Sequence, residues 1–152
     1  MNLQNTQLKY LPRALNYILR HYPHERSGLS FWDEVLLKMI KKHSPQTTKI
    51  IAFSLFYEGS DIDTVGDGYL FYRLHQLANQ QTPLVKLSGN IQVMREMQAT
   101  LTESAAKVVN QNFFMYSQSS IDDWVGGVQL LSGDNKHWLY RDGMLVFVND
   151  FE

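Results

Sequence analysis

The segment DIDTVGDGYLFY begins like the calcium-binding loop of an EF-hand. Asp61 and Asp63 hold the first two acidic places, and Gly66 holds the sixth place, where the sharp turn of that loop needs glycine. The fifth place is Val65 and the twelfth is Tyr72, so two oxygen ligands are missing. The sequence therefore predicts helix capping and loop solvation for these acids rather than a calcium site.

Other chemistry-bearing residues point to no reaction. His21 and His24 stand three residues apart, but Pro23 lies between them and breaks the turn, so no metal site is expected. The chain has no cysteine, which excludes a thiol nucleophile, and it has no G-x-S-x-G elbow, Walker loop or G-x-G-x-x-G motif. Because triads assemble in space, an enzyme with an unrecognised site stays a third hypothesis, but we expect no catalytic residue, no metal and no cofactor.

The C-terminal third combines aromatic rings with acidic groups. From residue 121 onward it holds five aromatic residues of the Trp, Tyr and Phe types, with six acids against two bases. A surface of this kind is typical of proteins that bind a basic partner, with the rings as anchors and the acids attracting the partner's charge. The same rings are also expected if they cover the hydrophobic core. We expect Trp124 to contact the partner and Trp138, Leu139, Val146 and Val148 to be buried. The predicted partner-binding residues are Asp122, Asp123, Trp124, Asp134, Arg73 and His75.

The net charge of −1 hides an asymmetry between the two parts of the chain. Residues 1–60 carry +4 and residues 61–152 carry −5. Opposed charges suggest complementary contacts within the protein or with a partner, although solvated helix faces give the same pattern. No apolar run reaches the roughly 18 residues that span a bilayer, and the N-terminal segment lacks the features of a secretory signal. We therefore expect a cytoplasmic protein without membrane contact.

Apolar residues recur at helical spacing through most of the first 110 residues. Ser30, followed by Asp33, is a variant of the capping box and marks the start of the second helix. The predicted helices are Leu11–His21, a second from Ser30, a third from Ser44-Pro45 to Gly59, and a fourth over Val65–Asn79.

The fourth helix carries both structural and candidate functional residues. Leu70, Leu74 and Leu77 recur at spacings of four and three and predict a buried stripe. Arg73 and His75 are expected on the outer face, where they would be available to a partner.

After this helix we predict a strand over Leu84–Leu87 and a turn at residues 88–90. Apolar residues from Ile91 to Val108 then recur every three or four positions, which predicts one helix of about five turns, or two that join near a Thr102 cap. A short strand over Phe113–Tyr116 is also predicted. The C-terminal strands are Val128–Leu131, His137–Tyr140 and Met144–Val148, with a hairpin turn at Asp142-Gly143 and a three-stranded antiparallel meander as the expected sheet.

The segment VGDGYLFYRLHQLANQQTPLVKLSGN, followed by MREM, combines a Gly-Asp, an aromatic helix bearing Tyr-Arg-Leu, a turn, an apolar pair and a Met-Arg. With the order of three helices, strand and turn, it resembles a bacterial winged-helix-like domain of unknown function over about residues 29–101. The resemblance implies a winged-helix fold and no assigned chemistry. A large domain usually precedes this segment in that family; we expect it here without that domain and with a strand-rich tail.

The winged-helix order makes a DNA-binding regulator the alternative hypothesis. The helix that would enter the groove offers Arg73 as its one clear positive charge, with Asp67 at its start, and the wing offers Lys86. DNA-binding proteins usually carry a basic patch on the docking face, whereas the lysines here lie mainly on the two preceding helices. We therefore favour a protein partner over nucleic acid.

Together these patterns predict a single α+β domain over residues 1–152. Residues 1–110 are expected to be mainly helical and winged-helix-like, and residues 111–152 to be β-rich, with an antiparallel meander. The predicted function is that of a non-catalytic bacterial protein that binds another, basic protein, as an immunity or antitoxin-type protein or an adaptor does; the oligomeric state is left open.

Overall fold

The computed structural model describes residues 9–57, 65–110, 122–125, 127–131 and 136–149. Along these residues, four helices come first, a β-hairpin and a short fifth helix follow, and two further β-hairpins come last. The helices of this part of the chain are α1 (Leu11–Arg20), α2 (Phe31–His43), α3 (Thr47–Leu55), α4 (Asp67–Asn79) and α5 (Glu103–Val109). Its strands are β1 (Val85–Gly89), β2 (Met97–Leu101), β3 (Asp122–Val125), β4 (Val128–Leu131), β5 (Lys136–Arg141) and β6 (Met144–Asn149). The predicted mixed α+β class is confirmed. None of the described helices is both long enough and apolar enough to cross a membrane.

Two helix starts follow the predicted capping chemistry. The Ser30 hydroxyl oxygen accepts a hydrogen bond from the backbone N–H of Asp33 at 3.3 Å, where α2 begins. The Thr102 hydroxyl oxygen accepts one from the backbone N–H of Ala105 at 3.3 Å, where α5 begins. Each cap satisfies a backbone donor that the first turn of a helix leaves without an intrahelical partner.

The main core lies between α2, α3, α4, α5 and the β1–β2 hairpin. The leucine stripe predicted for α4 is confirmed, since Leu70, Leu74 and Leu77 are at most 2 % exposed. They face fully buried side chains of α2, including Trp32 and Leu36. Each buried leucine contributes about 1.5–3 kcal/mol relative to an exposed one, so these stripes position α2 and α4 firmly against each other.

The helix predicted over residues 91–108 is wrong in its first part, because Met97–Leu101 forms strand β2. This strand pairs antiparallel with β1, with Val85 opposite Leu101. Met97 and Ala99 are buried at a spacing of two, which is the period of a strand. The helical spacing of three and four arose because the apolar residues run through a turn, a strand and a short helix in succession.

The connection between α2 and α3 adds to the edge of this hairpin. Gln46 forms an antiparallel bridge with Gln98, and the backbone N–H of Ala99 donates to the carbonyl oxygen of Pro45 at 3.0 Å. Three segments therefore meet side by side, the α2–α3 connection, β2 and β1.

The C-terminal strands pair as two hairpins rather than as the predicted three-stranded meander. Strand β3 pairs with β4, and β5 pairs with β6, across the predicted turn at Asp142-Gly143. The edge of β5 is taken by the α1–α2 connection: the N–H of Tyr140 donates to the Pro23 carbonyl at 2.8 Å, and the N–H of Glu25 donates to the Tyr140 carbonyl at 3.1 Å. These bonds occupy the backbone N–H and carbonyl groups of β5 with which a third strand would pair. The predicted strand Phe113–Tyr116 lies outside the described residues.

A second, smaller core joins the hairpins to the end of α1. Tyr22, Val125 and Leu130 are each 5 % exposed, and Tyr140 and Leu145 pack against them. Burial raises the pKa of the Tyr22 hydroxyl above its ordinary value, because the phenolate would lose its hydration there. The β3–β4 hairpin is thereby held next to the α1–α2 connection.

Candidate protein-binding site

A guanidinium group lies where α2, α4 and β3 meet. Arg73 of α4 forms a two-pronged ion pair with Asp33 of α2: Nε donates to Oδ1 at 2.9 Å and one terminal nitrogen donates to Oδ2 at 2.7 Å. The other terminal nitrogen donates to Oδ2 of Asp123 in β3 at 2.6 Å. One side chain therefore connects three elements that are far apart in the sequence.

Burial differs sharply among the three partners. The side chain of Asp33 is 4 % exposed, that of Arg73 is 13 % exposed, and that of Asp123 is 39 % exposed. The Ser30 hydroxyl donates a further hydrogen bond to Oδ2 of Asp33 at 2.7 Å, so the buried carboxylate has both a cation and a hydroxyl as partners. A buried charge needs such partners, because an unpaired one would be strongly destabilised.

Opposing effects act on the pKa of Arg73. Burial lowers it, but the Asp33 carboxylate, through its charge and hydrogen bonds, and the Asp123 carboxylate outweigh burial and hold the pKa above its ordinary value. The guanidinium therefore remains charged in this network.

Asp123 and Trp124 form the exposed end of the network. Oδ1 of Asp123 accepts a hydrogen bond from the backbone N–H of Trp124 at 2.9 Å, while Oδ2 accepts from Arg73. Both carboxylate oxygens are thus held in place. Trp124 is 64 % exposed, as predicted for a residue that contacts a partner. A fixed carboxylate and an exposed indole therefore belong to consecutive residues of β3.

Two clefts open beside Arg73 and Asp123. The first, which we call the polar cleft, has a volume of about 160 Å³ and is lined by residues that include His21, Asp33, Arg73, Gln76 and Asp123. The second, which we call the Trp124 cleft, has a volume of about 340 Å³ and is lined by residues that include Ile18, His21, Tyr69, Asp123, Trp124 and Val125. His21, Ser30 and Asp123 border both clefts, so the clefts adjoin.

The β5–β6 hairpin exposes a second pair of rings. Trp138 lies opposite Phe147 in the register, and the ring centroids are 4.8 Å apart. Trp138 is 42 % exposed and Phe147 is 44 % exposed, so the predicted burial of Trp138 is wrong, whereas that of Leu139, at 1 % exposed, is confirmed. Val146 and Val148, also predicted to be buried, are half-buried. Side chains alternate along a strand, which places Trp138 and Leu139 on opposite faces of the hairpin.

The structure brings together only some of the predicted site residues. Arg73 and Asp123 are bonded to each other, and Trp124 adjoins them. Arg73 is not on the outer face of α4 as predicted; it is largely buried, because it shares the helix face of the leucine stripe. His75 lies edge-on to Phe71, with centroids 4.9 Å apart, and is not among the residues that line either cleft.

The side chains of two predicted acids lie outside the described residues. Asp122 belongs to β3, where its backbone pairs with Leu131, but its side chain lies outside the described residues. Asp134 also lies outside them, as do Asp61 and Asp63 of the segment that resembles a calcium loop. The described residues contain no group of three or more His, Asp or Glu side chains that could hold a metal ion.

Sequence reasoning missed Asp33, His21 and Tyr69 as members of the site. Asp33 was interpreted only as a capping residue, yet it lies three, four and seven positions before buried apolar residues of α2 and so falls on the stripe that faces the core. An acid on an apolar stripe needs a buried partner, and Arg73 falls on the equivalent stripe of α4. His21 and Tyr69 gave no comparable signal, because their positions depend on how α1 and α4 approach β3.

Comparison of the chain with models of known protein families and with curated proteins gives no match in either case.

Proposed function

We propose that this protein acts without catalysis, by binding another protein that is basic, through a surface centred on Trp124 and Asp123. The observation that carries the proposal is the exposed indole of Trp124, which follows directly in β3 a carboxylate that Arg73 holds in position. Tryptophan is among the residues most often found at the energetic centre of protein interfaces. A carboxylate fixed beside it adds selectivity for positive charge, because it does not have to be ordered when the partner arrives.

Apolar exposure on the same hairpin supports an interface. Val128 is 42 % exposed and Leu131 is 40 % exposed on β4, and Trp124 is 64 % exposed on β3. Trp138 and Phe147 extend the exposed apolar groups of the C-terminal part onto the β5–β6 hairpin. Clustered exposed apolar groups rimmed by charge are more typical of a protein-binding surface than of a solvated one.

The scaffold that carries this surface is, we propose, winged-helix-like over about residues 29–101. The order of α2, α3 and α4 before the β1–β2 hairpin supports this, as does the bridge from Gln46 to Gln98, which adds the α2–α3 connection to the hairpin. The arrangement acts as a packing frame here. Arg73, the clearest cation that α4 offers to a DNA groove, is committed to Asp33 and Asp123, so DNA binding by α4 is disfavoured.

An immunity or antitoxin-type protein, or an adaptor, in the cytoplasm is the class of function that fits a small non-catalytic chain of this kind. The test is capture of a partner by the tagged full-length chain from its own host, with products of neighbouring genes as the first candidates. The purified pair is then measured by calorimetry. We expect a basic partner and a loss of more than about 1 kcal/mol of binding free energy in Trp124→Ala, as is typical of an anchor residue.

A matched control is Tyr72→Ala, which removes an aromatic ring that is 54 % exposed on α4 and that lines neither cleft. If Trp124→Ala binds the purified partner as tightly as the unchanged protein does, the proposed surface is wrong. If the protein instead shifts duplex DNA on a gel with strong salt dependence, and Lys86→Ala weakens the shift, the DNA-binding alternative replaces the proposal.

A further inference from the structure

The Trp124 cleft combines aromatic rings with one fixed carboxylate. Tyr69 comes from α4, Trp124 comes from β3, and His21 follows the last turn of α1. The rings of His21 and Tyr69 meet edge to face, with centroids 6.4 Å apart. Three elements of the fold therefore each contribute an aromatic or imidazole residue to the lining of one concave site, and Ile18 adds an apolar residue.

The charges around this cleft do not cancel. Arg73 contributes one positive charge and faces two carboxylates, Asp33 and Asp123. Among the described residues that line the two clefts, Arg73 is the one lysine or arginine. Both oxygens of Asp33 accept from Arg73, whereas Asp123 receives a single bond from it. The surplus negative charge therefore belongs mainly to Asp123, which borders the cleft.

Ring faces attract cations because of their quadrupole, and a carboxylate beside them adds a charge-assisted hydrogen bond. An anion would meet the Asp123 carboxylate directly and would be repelled. A purely apolar group would leave that carboxylate less hydrated without giving it a partner. Of the three, a cation has the chemistry that matches this lining.

We propose that the Trp124 cleft receives one lysine or arginine side chain of the partner; this rests on the protein-binding function proposed above. The cleft volume of about 340 Å³ is at the low end of the range of about 300–1,000 Å³ for ligand pockets, which suits a single side chain. The cation contacts the aromatic lining that Tyr69 and Trp124 contribute and donates to Asp123. It supplies the positive charge that the network around Arg73 lacks.

The test uses the full chain and single-residue probes, so it does not need the partner. N-acetyl-arginine-N-methylamide and the lysine analogue are titrated into ¹⁵N-labelled protein while the indole N–H signals of the three tryptophans are followed. The neutral controls are the citrulline and norleucine analogues. We expect saturable, millimolar binding of at least one cationic probe that moves the Trp124 signal and leaves Trp32 and Trp138 in place.

Variants then assign the two contributions. Trp124→Ala, followed through the backbone amides of His21 and Tyr69, should weaken binding about two- to fivefold, as loss of one exposed cation–π contact does. Asp123→Asn should also weaken it and remove most of its salt dependence. The matched control is Asp142→Asn, which removes an exposed carboxylate in the β5–β6 turn, where φ is 45° and asparagine is tolerated. Thermal unfolding of each variant establishes that it is folded.

Equal shifts with the neutral probes, or no saturable shift with either cation, would overturn the inference. The inference and the proposed function can fail independently. If no cationic probe binds but partner capture still depends on Trp124, the proposed function stands and only the cation site is wrong. Conversely, if the isolated chain binds the cationic probes but captures no partner protein in a Trp124-dependent way, only the proposed function is wrong.

Discussion

Replacing Arg73 with methionine should lower the free energy of unfolding by about 3–5 kcal/mol, the cost of breaking a buried ion pair from one side. Methionine keeps an apolar stem that reaches the position of the arginine Nε, so the packing of that stem is largely kept and the loss is mainly ionic. The substitution leaves the Asp33 carboxylate, 4 % exposed, with the Ser30 hydroxyl but without its cation. Loss of the bond to Asp123 adds little, because that carboxylate is 39 % exposed and water can hydrate it.

The origin of the loss is tested by two further variants. Asp123→Asn should cost less than about 1 kcal/mol, since it removes only the exposed pair. Adding Asp33→Asn to the Arg73→Met chain should recover more than half of the loss, because it removes the stranded charge and keeps an acceptor for Ser30. This recovery would be a strong departure from additivity between contacting residues.

The measurement is urea unfolding at constant pH, followed by far-UV circular dichroism and by tryptophan fluorescence, with the dependence on urea compared among variants. If the slope of the unfolding free energy against urea concentration is the same in all variants, each unfolding transition can be compared as a two-state transition. A loss below about 1 kcal/mol in Arg73→Met, or no recovery when Asp33→Asn is added, would show that the buried ion pair does not hold α2 and α4 as reasoned here.

The remaining predictions concern backbone geometry and pH. Gly89→Ala should destabilise the protein by more than about 1 kcal/mol, because φ is +79° and the new Cβ would lie 2.3 Å from the carbonyl oxygen of Glu96. Gly68→Ala, in open space within α4, should instead stabilise it by about 0.4–1 kcal/mol in the same urea assay. The raised pKa of Tyr22 predicts a contribution to stability that is complete below the unfolded-state pKa of about 10 and is lost as pH rises through the folded-state pKa. Tyr22→Phe should reduce this alkaline loss, and an equal loss in that variant would assign it to other groups.

Local chemistry made much of the fold predictable. The Ser30 and Thr102 caps, the leucine stripe of α4 and the hairpin turn at Asp142-Gly143 each depend on residues within a few positions of one another. Strand β2 was misread because its alternation is only five residues long and lies inside a longer series that also fits a helix. The meander was wrong because the competing partner of β5 is the α1–α2 connection, more than 100 residues earlier.

The candidate site was predictable only in part. The exposure of Trp124 followed from its acidic and glycine-rich neighbours, but the position of Arg73 did not follow from its charge. An arginine on a leucine stripe and an aspartate on the facing stripe of another helix imply a buried pair, and this rule would have found Arg73 and Asp33 together. The ion pair between Asp123 and Arg73 depends on how β3 packs against the helices, and no local sequence pattern encodes that packing.

The ion-pair network also orders events while the chain is being made. Asp33 and Arg73 are 40 positions apart, and Asp123 follows Arg73 by 50 more. Synthesis runs from the N-terminus, so the ribosome releases the first carboxylate and the guanidinium well before the second carboxylate exists. During that interval the Asp33 carboxylate and the Arg73 guanidinium balance each other in charge, and the negative surplus near Trp124 arises only when the β3–β4 hairpin is added.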